Sequence, residues 1–251
     1  MSITANDEAP QPDNGVHIPF YIEVASENSL IVYFGSDNPD VKPVVTPALC
    51  SAINRAQTLL NSRLGERIVD TIVSYASLLV TFDVWQVDHF HVRVEIESLL
   101  SGLTTGQAAP TRTITLPVFY DIKVGPDLPR IATHSGLSID EVILRHQQQE
   151  YYVYTIGFAP GFAYLGEVNE SIAMPRLATP RSAVAKGSVA IADKQTAVYP
   201  ATSPGGWNII GRCPTPMFNP DNDPPSPVSV GDKVRFKAIT EKQFIALGGQ
   251  L

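Results

Sequence analysis

The sequence predicts two folds in succession, a small α+β domain followed by a mainly-β domain of the barrel or sandwich type. In the first part of the chain, strand-like runs and amphipathic helical segments follow one another in the order ββαββα, which is typical of helices packed on one face of an antiparallel sheet. Between residues 155 and 231, 11 prolines and 8 glycines among 77 residues separate short β-branched and aromatic runs. Prolines and glycines at this frequency indicate many short strands joined by tight turns.

The first domain is expected over residues 18–104, after a loose tail at 1–17 that is rich in proline and acidic residues. A helix should begin after Thr46, because threonine is a good N-cap and Pro47 suits the first helical position. The strands that flank this helix are expected at residues 20–24, 30–34, 68–73 and 78–82.

A second helix is expected at about 86–101, with Phe90 and Val94 on its apolar stripe. The adjoining apolar residues are Ile96, Leu99 and Leu100. The small, polar stretch 102–110 that follows is the best candidate for a linker between the domains.

The second domain is expected over residues 111–251, beginning with a strand near 113–120 and two short helices. Ser138 and Glu141 form a capping-box pattern at the start of the second of these helices. Thr240 and Gln243 repeat the pattern before a closing helix.

Composition restricts the function of the chain. A formal net charge of −7 over 251 residues argues against a nucleic-acid or anionic-membrane partner. The start of the chain lacks the basic and apolar regions of a signal peptide, and no run approaches the roughly 18 apolar residues of a membrane span. The two cysteines, Cys50 and Cys213, have no neighbours at metal-ligand spacing. A cytoplasmic protein is expected.

The familiar catalytic motifs are absent from the sequence. It contains no GxxxxGK[ST] phosphate loop, no GxGxxG, no GxSxG elbow and no HExxH. His89 and His91 alternate without a third ligand, so we expect them on a solvated helix face and predict no metal site.

An aromatic segment surrounds a Pro-Gly pair early in the second domain. Phe158, Phe162 and Tyr164 flank Pro160 and Gly161, and this pair favours a type II turn with Gly161 at positive φ. The segment is either a tight corner of the β domain or a loop that presents aromatic walls to a small ligand.

Two Pro-Arg pairs follow at a five-residue interval, ending in Arg176 and Arg181. Two guanidinium groups on a stiff loop would suit a carboxylate or phosphate, although surface arginines commonly form ordinary ion pairs. Further along, Gly205 and Gly206 precede Trp207 and allow close approach of the backbone by a substrate or by a packed strand.

These segments carry a resemblance to a known family. The matching segments are residues 152–166, 175–181, 187–189, 199–200 and 203–212, with 125–128, 136–138 and 141–143. Together they resemble the family of bacterial 5-oxoprolinase B subunits, also known as allophanate hydrolase subunit 1 or sporulation-kinase inhibitor, over about 18–240. The family usually has threonine where Cys213 stands, which argues against Cys213 as a nucleophile.

The resemblance implies an N-terminal α+β domain and a C-terminal cyclophilin-like β-barrel. It also implies two partner proteins, the A and C subunits, with which the chain would open 5-oxo-L-proline to L-glutamate at the expense of ATP, with Mg²⁺ as the expected companion of the nucleotide. Because the chain has no nucleotide loop, ATP binding would need those partners. The alternatives are a module that inhibits a sensor histidine kinase and a subunit related to urea carboxylase or allophanate hydrolase. Prolyl isomerase activity would rest on fold analogy alone.

The leading hypothesis, an enzyme subunit that acts on a stable lactam, gives roles to individual residues. Arg176 and Arg181 would supply positive charge, while Gln195 and Tyr199 would donate hydrogen bonds. His146 is a candidate acid or base. The expected substrate-binding residues are Phe158, Pro160, Gly161, Phe162, Tyr164, Gly205, Gly206, Trp207 and Arg212.

Overall fold

A computed structural model describes residues 15–106 and 111–251. The described residues divide into two compact units, the first ending at residue 106 and the second beginning at residue 111. Most of the predicted tail and residues 107–110 of the predicted linker lie outside the described residues. The domain limits 18–104 and 111–251 therefore stay a prediction.

The first unit is a four-stranded antiparallel sheet with two helices. Its strand order is β1-β2-β4-β3. The elements are β1 (Phe20–Ser26), β2 (Ser29–Phe34), α1 (Pro47–Leu64), a 3-10 turn (Gly65–Arg67), β3 (Ile68–Val73), β4 (Ser77–Phe82) and α2 (His89–Leu100). Every second residue of β2 and β4 is buried, so one face of the sheet packs against the apolar sides of the helices. The Thr46 cap is confirmed, because its side chain accepts a hydrogen bond from the Leu49 amide.

The predicted apolar stripe of α2 was wrong. Phe90 and Val94 are 69% and 63% exposed. The buried face carries Val92, Ile96 and Leu100 instead. The helix has two series of apolar residues at a spacing of four. The three-membered series Val92, Ile96 and Leu100 packs against the rest of the unit rather than the pair Phe90 and Val94, because it buries more apolar area.

The second unit is built on a seven-stranded sheet with the order β12-β9-β10-β7-β6-β13-β5. Its strands are β5 (Thr113–Val118), β6 (Glu150–Ile156), β7 (Ala163–Gly166), β9 (Ser188–Ala192), β10 (Gln195–Val198), β12 (Asn208–Arg212) and β13 (Lys233–Ala238). Strands β8 (Arg181–Val184) and β11 (Ser203–Gly205) form a separate two-stranded sheet. The helical elements are α3 (Leu128–Ser135), α4 (Ile139–Gln148), a 3-10 turn (Glu170–Ile172) and α5 (Glu241–Ala246).

The two edges of the seven-stranded sheet meet. Phe119, just after β5, and Arg212, at the end of β12, exchange two backbone hydrogen bonds of 2.8 and 2.9 Å between N and O. This bridge nearly closes the sheet into a barrel, which removes the open strand edges. The predicted fold, an α+β unit followed by a mainly-β barrel, is confirmed.

The side chains that point inward from alternate positions of each strand fill the barrel. Alternate residues of all seven strands share one core with residues of α3 and α4. The capping boxes predicted at Ser138–Glu141 and Thr240–Gln243 are both present, so two helices of this unit begin where the sequence indicates. None of the helices in the described ranges is long and apolar enough to cross a bilayer.

His146, the predicted acid or base, is fully buried in this core. The Thr196 hydroxyl donates to the Ala190 carbonyl oxygen at 2.9 Å and lies 3.0 Å from Nε2 of His146. Since that hydroxyl proton is already used, Nε2 must carry hydrogen and donate to Thr196. The Tyr120 hydroxyl lies 2.7 Å from Nδ1 and can donate to it. The neutral imidazole is thus completely hydrogen-bonded.

This position argues against the predicted acid–base role of His146. Burial lowers the pKa of His146 from its ordinary value of 6.5 to about 3, so the ring stays neutral at physiological pH. Protonation of Nδ1 would also remove the acceptor of the Tyr120 hydroxyl. The physical role of His146 is to satisfy polar groups inside the barrel, where its ring stacks on Phe236 with centroids 4.6 Å apart.

His146 should make the stability of the barrel depend on pH. Its pKa is lower in the folded chain than in the unfolded chain, so the unfolded state binds the extra proton between about pH 6.5 and 3. The stabilising contribution is present above pH 6.5 and is lost as the pH falls. We expect urea unfolding at pH 7 and pH 5 to show that wild-type protein loses about 2 kcal/mol more than a His146→Gln variant.

The matched control for this experiment is His134→Gln, because His134 is exposed on α3. The control should keep the wild-type dependence on pH. Equal pH dependence of the His146→Gln variant and wild type would contradict the buried, neutral imidazole.

Candidate functional site

A second apolar cluster lies on the opposite face of β9, β10 and β12 from the barrel core. Its large members are Phe162, Tyr199 and Trp207, all at most 5% exposed. Alanines of β9 and β10, including Ala190 and Ala197, lie beneath the rings. Small residues in the sheet leave room for large rings above them, so the strands present an aromatic surface rather than an ordinary polar exterior.

Phe162 is at the centre of this aromatic surface. Its ring centroid lies 4.9 Å from Tyr164, 5.3 Å from Tyr199 and 5.7 Å from Trp207. The interplanar angles are 60° to 89°, which is the edge-to-face geometry that aromatic rings prefer. Phe158 extends the surface to its rim, with its ring 5.4 Å from that of Phe162 and 68% of the residue exposed.

The Pro160-Gly161 turn sets the position of Phe162. The Phe162 amide donates to the Ala159 carbonyl oxygen at 2.9 Å, and Gly161 has φ of +79°, so the predicted positive φ is confirmed. A Cβ atom on Gly161 would lie 2.3 Å from the Met217 carbonyl oxygen. Both the backbone angle and the close approach therefore require glycine at this position.

Gly205 has an equally specific reason to be glycine. A Cβ atom there would lie 2.3 Å from the Tyr199 hydroxyl oxygen. The hydroxyl fits against the backbone of β11 only because no side chain is present. The sequence left two explanations for a glycine here, close approach of a substrate or of a packed part of the chain. The structure supports close packing, because Gly205 leaves room for the Tyr199 hydroxyl.

Arg176 lies over the aromatic surface. The central carbon of its guanidinium group is 5.7 Å from the centroid of the Trp207 ring, a cation–π arrangement. Burial raises the pKa of both Tyr164 and Tyr199, and the positive charge of Arg176 acts in the opposite direction. Both phenols are protonated at neutral pH and sit within the electrostatic reach of an exposed guanidinium group.

Arg181 has a different environment. It forms a salt bridge of 2.8 Å with Asp127, whose side chain is only 8% exposed, and it donates to the Trp207 carbonyl oxygen at 3.3 Å. Its charge is already compensated by a buried carboxylate. The two arginines were predicted to be equivalent anion-binding groups, but their environments differ. Arg176 faces the aromatic surface, whereas Arg181 donates to the backbone at Trp207.

Asp127 was missed as a site residue. Its second carboxylate oxygen accepts a hydrogen bond of 2.6 Å from the Ile209 amide, so it ties the start of α3 to β12 and to Arg181. Its only signal in the sequence was its place in the Gly125–Leu128 segment. An aspartate before a helix is normally expected to cap that helix, yet its side chain makes no capping bond.

The remaining predicted residues lie in different places. Gln195 begins β10 and shares the face of Tyr199 by strand alternation. Pro160 is exposed in its turn, and Gly206 accepts a backbone hydrogen bond of 2.6 Å from the Leu177 amide. His146 is inside the barrel, and Arg212 lines a cavity with the last residues of the chain.

The described part of the chain contains no group of three or more His, Cys, Asp or Glu side chains that could hold a metal ion. Its two cysteine thiols are buried, and burial raises the pKa of Cys213 to about 11. A thiol in that state is a poor nucleophile. The exposed groups at the rim of the aromatic surface are the Phe158 ring and the Arg176 guanidinium, and together they are suited to binding a small anionic or polar ring compound.

Comparison with known proteins agrees with this architecture. Residues 20–228 match the family described as carboxyltransferase domain, subdomain C and D. The chain is 33% identical over 240 residues to the B subunit of 5-oxoprolinase from Bacillus subtilis, covering 91% of this chain and 97% of that protein.

Solved structures have the same fold. The crystal structure of TTHA0988 superposes with a TM-score of 0.70 at 33% identity over 84% of this chain, which spans 40% of that protein's length. The urea carboxylase of Kluyveromyces lactis superposes with a TM-score of 0.72 at 16% identity. The match covers 95% of this chain and 23% of the urea carboxylase chain. At that identity the likeness concerns the fold alone. With the family match and the Bacillus relative, these findings show that the chain belongs to the carboxyltransferase subdomain C and D family, in the group of 5-oxoprolinase B subunits.

Proposed function

We propose that the chain is the B subunit of a cytoplasmic 5-oxoprolinase, which acts with the A and C subunits to open 5-oxo-L-proline to L-glutamate in an ATP-dependent reaction. The observation that carries the proposal is the 33% identity to the Bacillus relative over 97% of that protein. The similarity therefore extends through both units of the chain and is not limited to one shared segment.

The chemistry of the aromatic surface supports this substrate. 5-Oxoproline is a small five-membered lactam with one carboxylate. The exposed ring of Phe158, supported from behind by Phe162, would pack against the lactam, and the exposed Arg176 guanidinium would bind the carboxylate. Tyr199 stays protonated because burial raises its pKa, and it supports the Phe162 ring behind this rim.

Hydrolysis of the lactam adds one water molecule across the C–N bond and produces a carboxylate and an amine. The amide carbonyl resists attack, so its oxygen must be stabilised as negative charge develops. In this proposal Arg176 and Gln195 stabilise charge and orient the ring, while Arg181 and Tyr199 act as positioning residues through Trp207 and Phe162.

ATP and Mg²⁺ are assigned to the assembly rather than to this chain. The sequence has no phosphate loop, and the described residues bring together no set of metal ligands. The A and C subunits would provide the nucleotide site.

Reconstitution tests the proposal directly. The purified chain alone should show little or no 5-oxoproline-dependent ATP hydrolysis, whereas co-expression with candidate A and C subunits should give a complex that releases glutamate and phosphate. The assay measures both products against enzyme lacking one subunit at a time. Robust turnover by the lone chain, or none by a purified three-subunit complex, would contradict the assignment.

The two arginines should respond differently to substitution. Arg176→Ala removes an exposed guanidinium group, so turnover of the complex should fall about ten- to a hundredfold with little change in stability. Arg181→Ala leaves Asp127 buried beside a single amide donor. Because Arg181 is about a third exposed, we expect a loss of about 1–3 kcal/mol in unfolding free energy, below the 3–5 kcal/mol of a fully buried pair.

Turnover and urea unfolding of the same preparations separate these effects. Arg235→Ala is the matched control, since Arg235 is an exposed barrel arginine that pairs with Glu150. It should change neither measurement by much. Normal turnover of Arg176→Ala would remove Arg176 from the site, and unchanged stability of Arg181→Ala would remove the structural role of its pair with Asp127.

A further inference from the structure

Asn208 is a fully buried polar residue next to Trp207 at the start of β12. Side chains alternate along a strand, so the Asn208 amide lies on the opposite side of the backbone from Trp207 and Ile209, which belong to the aromatic surface. A buried amide is stable only when its hydrogen bonds are made. The partners of Asn208 therefore show which part of the chain it holds.

The Asn208 amide joins three parts of the second unit. Its Nδ2 atom donates to the carbonyl oxygens of Pro175 and Ile191, at 3.0 Å each, and lies 3.5 Å from that of Met174. Its Oδ1 atom accepts a hydrogen bond from Nη1 of Arg130 on α3. Both hydrogens of the amide group have acceptors and its oxygen faces a guanidinium group, so the amide has one favourable orientation.

The backbone on both sides of Arg176 is held by hydrogen bonds. One carbonyl oxygen that accepts from Asn208 belongs to the residue before it, and the Leu177 amide after it donates to the Gly206 carbonyl oxygen at 2.6 Å. Asn208 and Gly206 in turn flank Trp207. The two bonds therefore set Arg176 over Trp207, where its guanidinium carbon lies 5.7 Å from the ring centroid.

The backbone around Arg176 depends on these bonds because it belongs to no helix or strand. Residues 173–180 lie between the 3-10 turn that ends at Ile172 and the start of β8. Met174 forms an isolated bridge with Asp193, and in the described structure no strand continues from this bridge to Arg176. Where such a ladder is missing, side-chain hydrogen bonds satisfy and order the backbone groups.

We propose that Asn208 is the residue that positions Arg176 for binding the substrate anion, with Arg130 orienting the Asn208 amide. The effect on the substrate rests on the proposed function, whereas the positioning of Arg176 over Trp207 does not. Removal of the amide leaves the Pro175 carbonyl oxygen without this donor. The backbone before Arg176 is then no longer fixed, and the guanidinium group leaves the Trp207 ring.

The first test measures how well Trp207 is covered in the isolated full chain. Trp85 is the other tryptophan and is 93% exposed, so the Trp85→Phe background leaves Trp207 as the source of tryptophan fluorescence. In that background, Arg176→Ala should increase acrylamide quenching because the guanidinium group no longer covers the ring, and Asn208→Leu should increase it by a similar amount. The two changes combined should give no more quenching than Arg176→Ala alone, since both act through one contact.

The second test repeats this cycle on turnover of the reconstituted complex. Asn208→Leu should lower 5-oxoproline turnover about tenfold in the wild-type background, yet less than about twofold when Arg176→Ala is already present. A loss of structure alone would lower turnover by the same factor in both backgrounds. A complex without wild-type turnover would contradict the proposed function, and the quenching cycle would still decide the role of Asn208.

Tyr151→Phe is the matched control, because it also removes a buried donor, the hydroxyl that donates to the His146 carbonyl oxygen at 2.9 Å, with little change of shape. It should lower stability without changing quenching or turnover. Arg130 is exposed, so Arg130→Met keeps the test available if Asn208→Leu does not fold, and it should change both measurements in the same direction by a smaller factor. Additive effects of the Asn208 and Arg176 substitutions, or normal quenching in both Asn208→Leu and Arg130→Met, would overturn the proposal.

Discussion

The buried carboxylate of Asp127 holds together three parts of the second unit that are far apart in sequence. One oxygen pairs with Arg181 of β8, and the other accepts the Ile209 amide of β12. The Asp127 amide in turn donates to the Ile209 carbonyl oxygen at 3.0 Å. A carboxylate taken out of water is stable only if its lone pairs are satisfied in this way. The placement of Trp207 depends on this arrangement, because Arg181 also donates to the Trp207 carbonyl oxygen.

Because side chains alternate along each strand, the two faces of the barrel sheet carry different clusters of residues. Odd and even positions of the same strands supply the sealed interior and the outer aromatic surface, so a single β10 residue pair, Ala197 and Val198, contributes to both clusters. His146 and Tyr199 illustrate the contrast. Both are buried, but His146 is enclosed and fully hydrogen-bonded in the barrel core, whereas Tyr199 packs among the rings of the outer face within the electrostatic reach of Arg176.

Much of the fold was predictable because its signals are local. Thr46 and Ser138 cap their helices as their side-chain chemistry dictates, and Gly161 takes the backbone angle that a Pro-Gly turn requires. The exposed side of α2 was not predictable, since Phe90 and Val94 compete with a second apolar series and only tertiary packing decides between them. The candidate site shows the same limit. Arg176 and Arg181 both follow proline, yet the partner of Arg181 lies 54 residues away, which no local pattern can reveal.

Arg212 has two connections whose combination has a thermodynamic consequence. Its backbone forms the bridge to Phe119 that nearly closes the barrel, and its side chain lines the cavity beside β12. Opening of that seam would displace the guanidinium group as well as the strand. By linkage, contacts that hold the guanidinium group in place, such as its hydrogen bond to the Gln250 carbonyl oxygen, also favour the closed seam. The barrel seam and the contact of Arg212 with the residues after α5 thus form one cooperative unit, and loss of that contact is measurable as faster exchange of the Arg212 and Phe119 amide hydrogens.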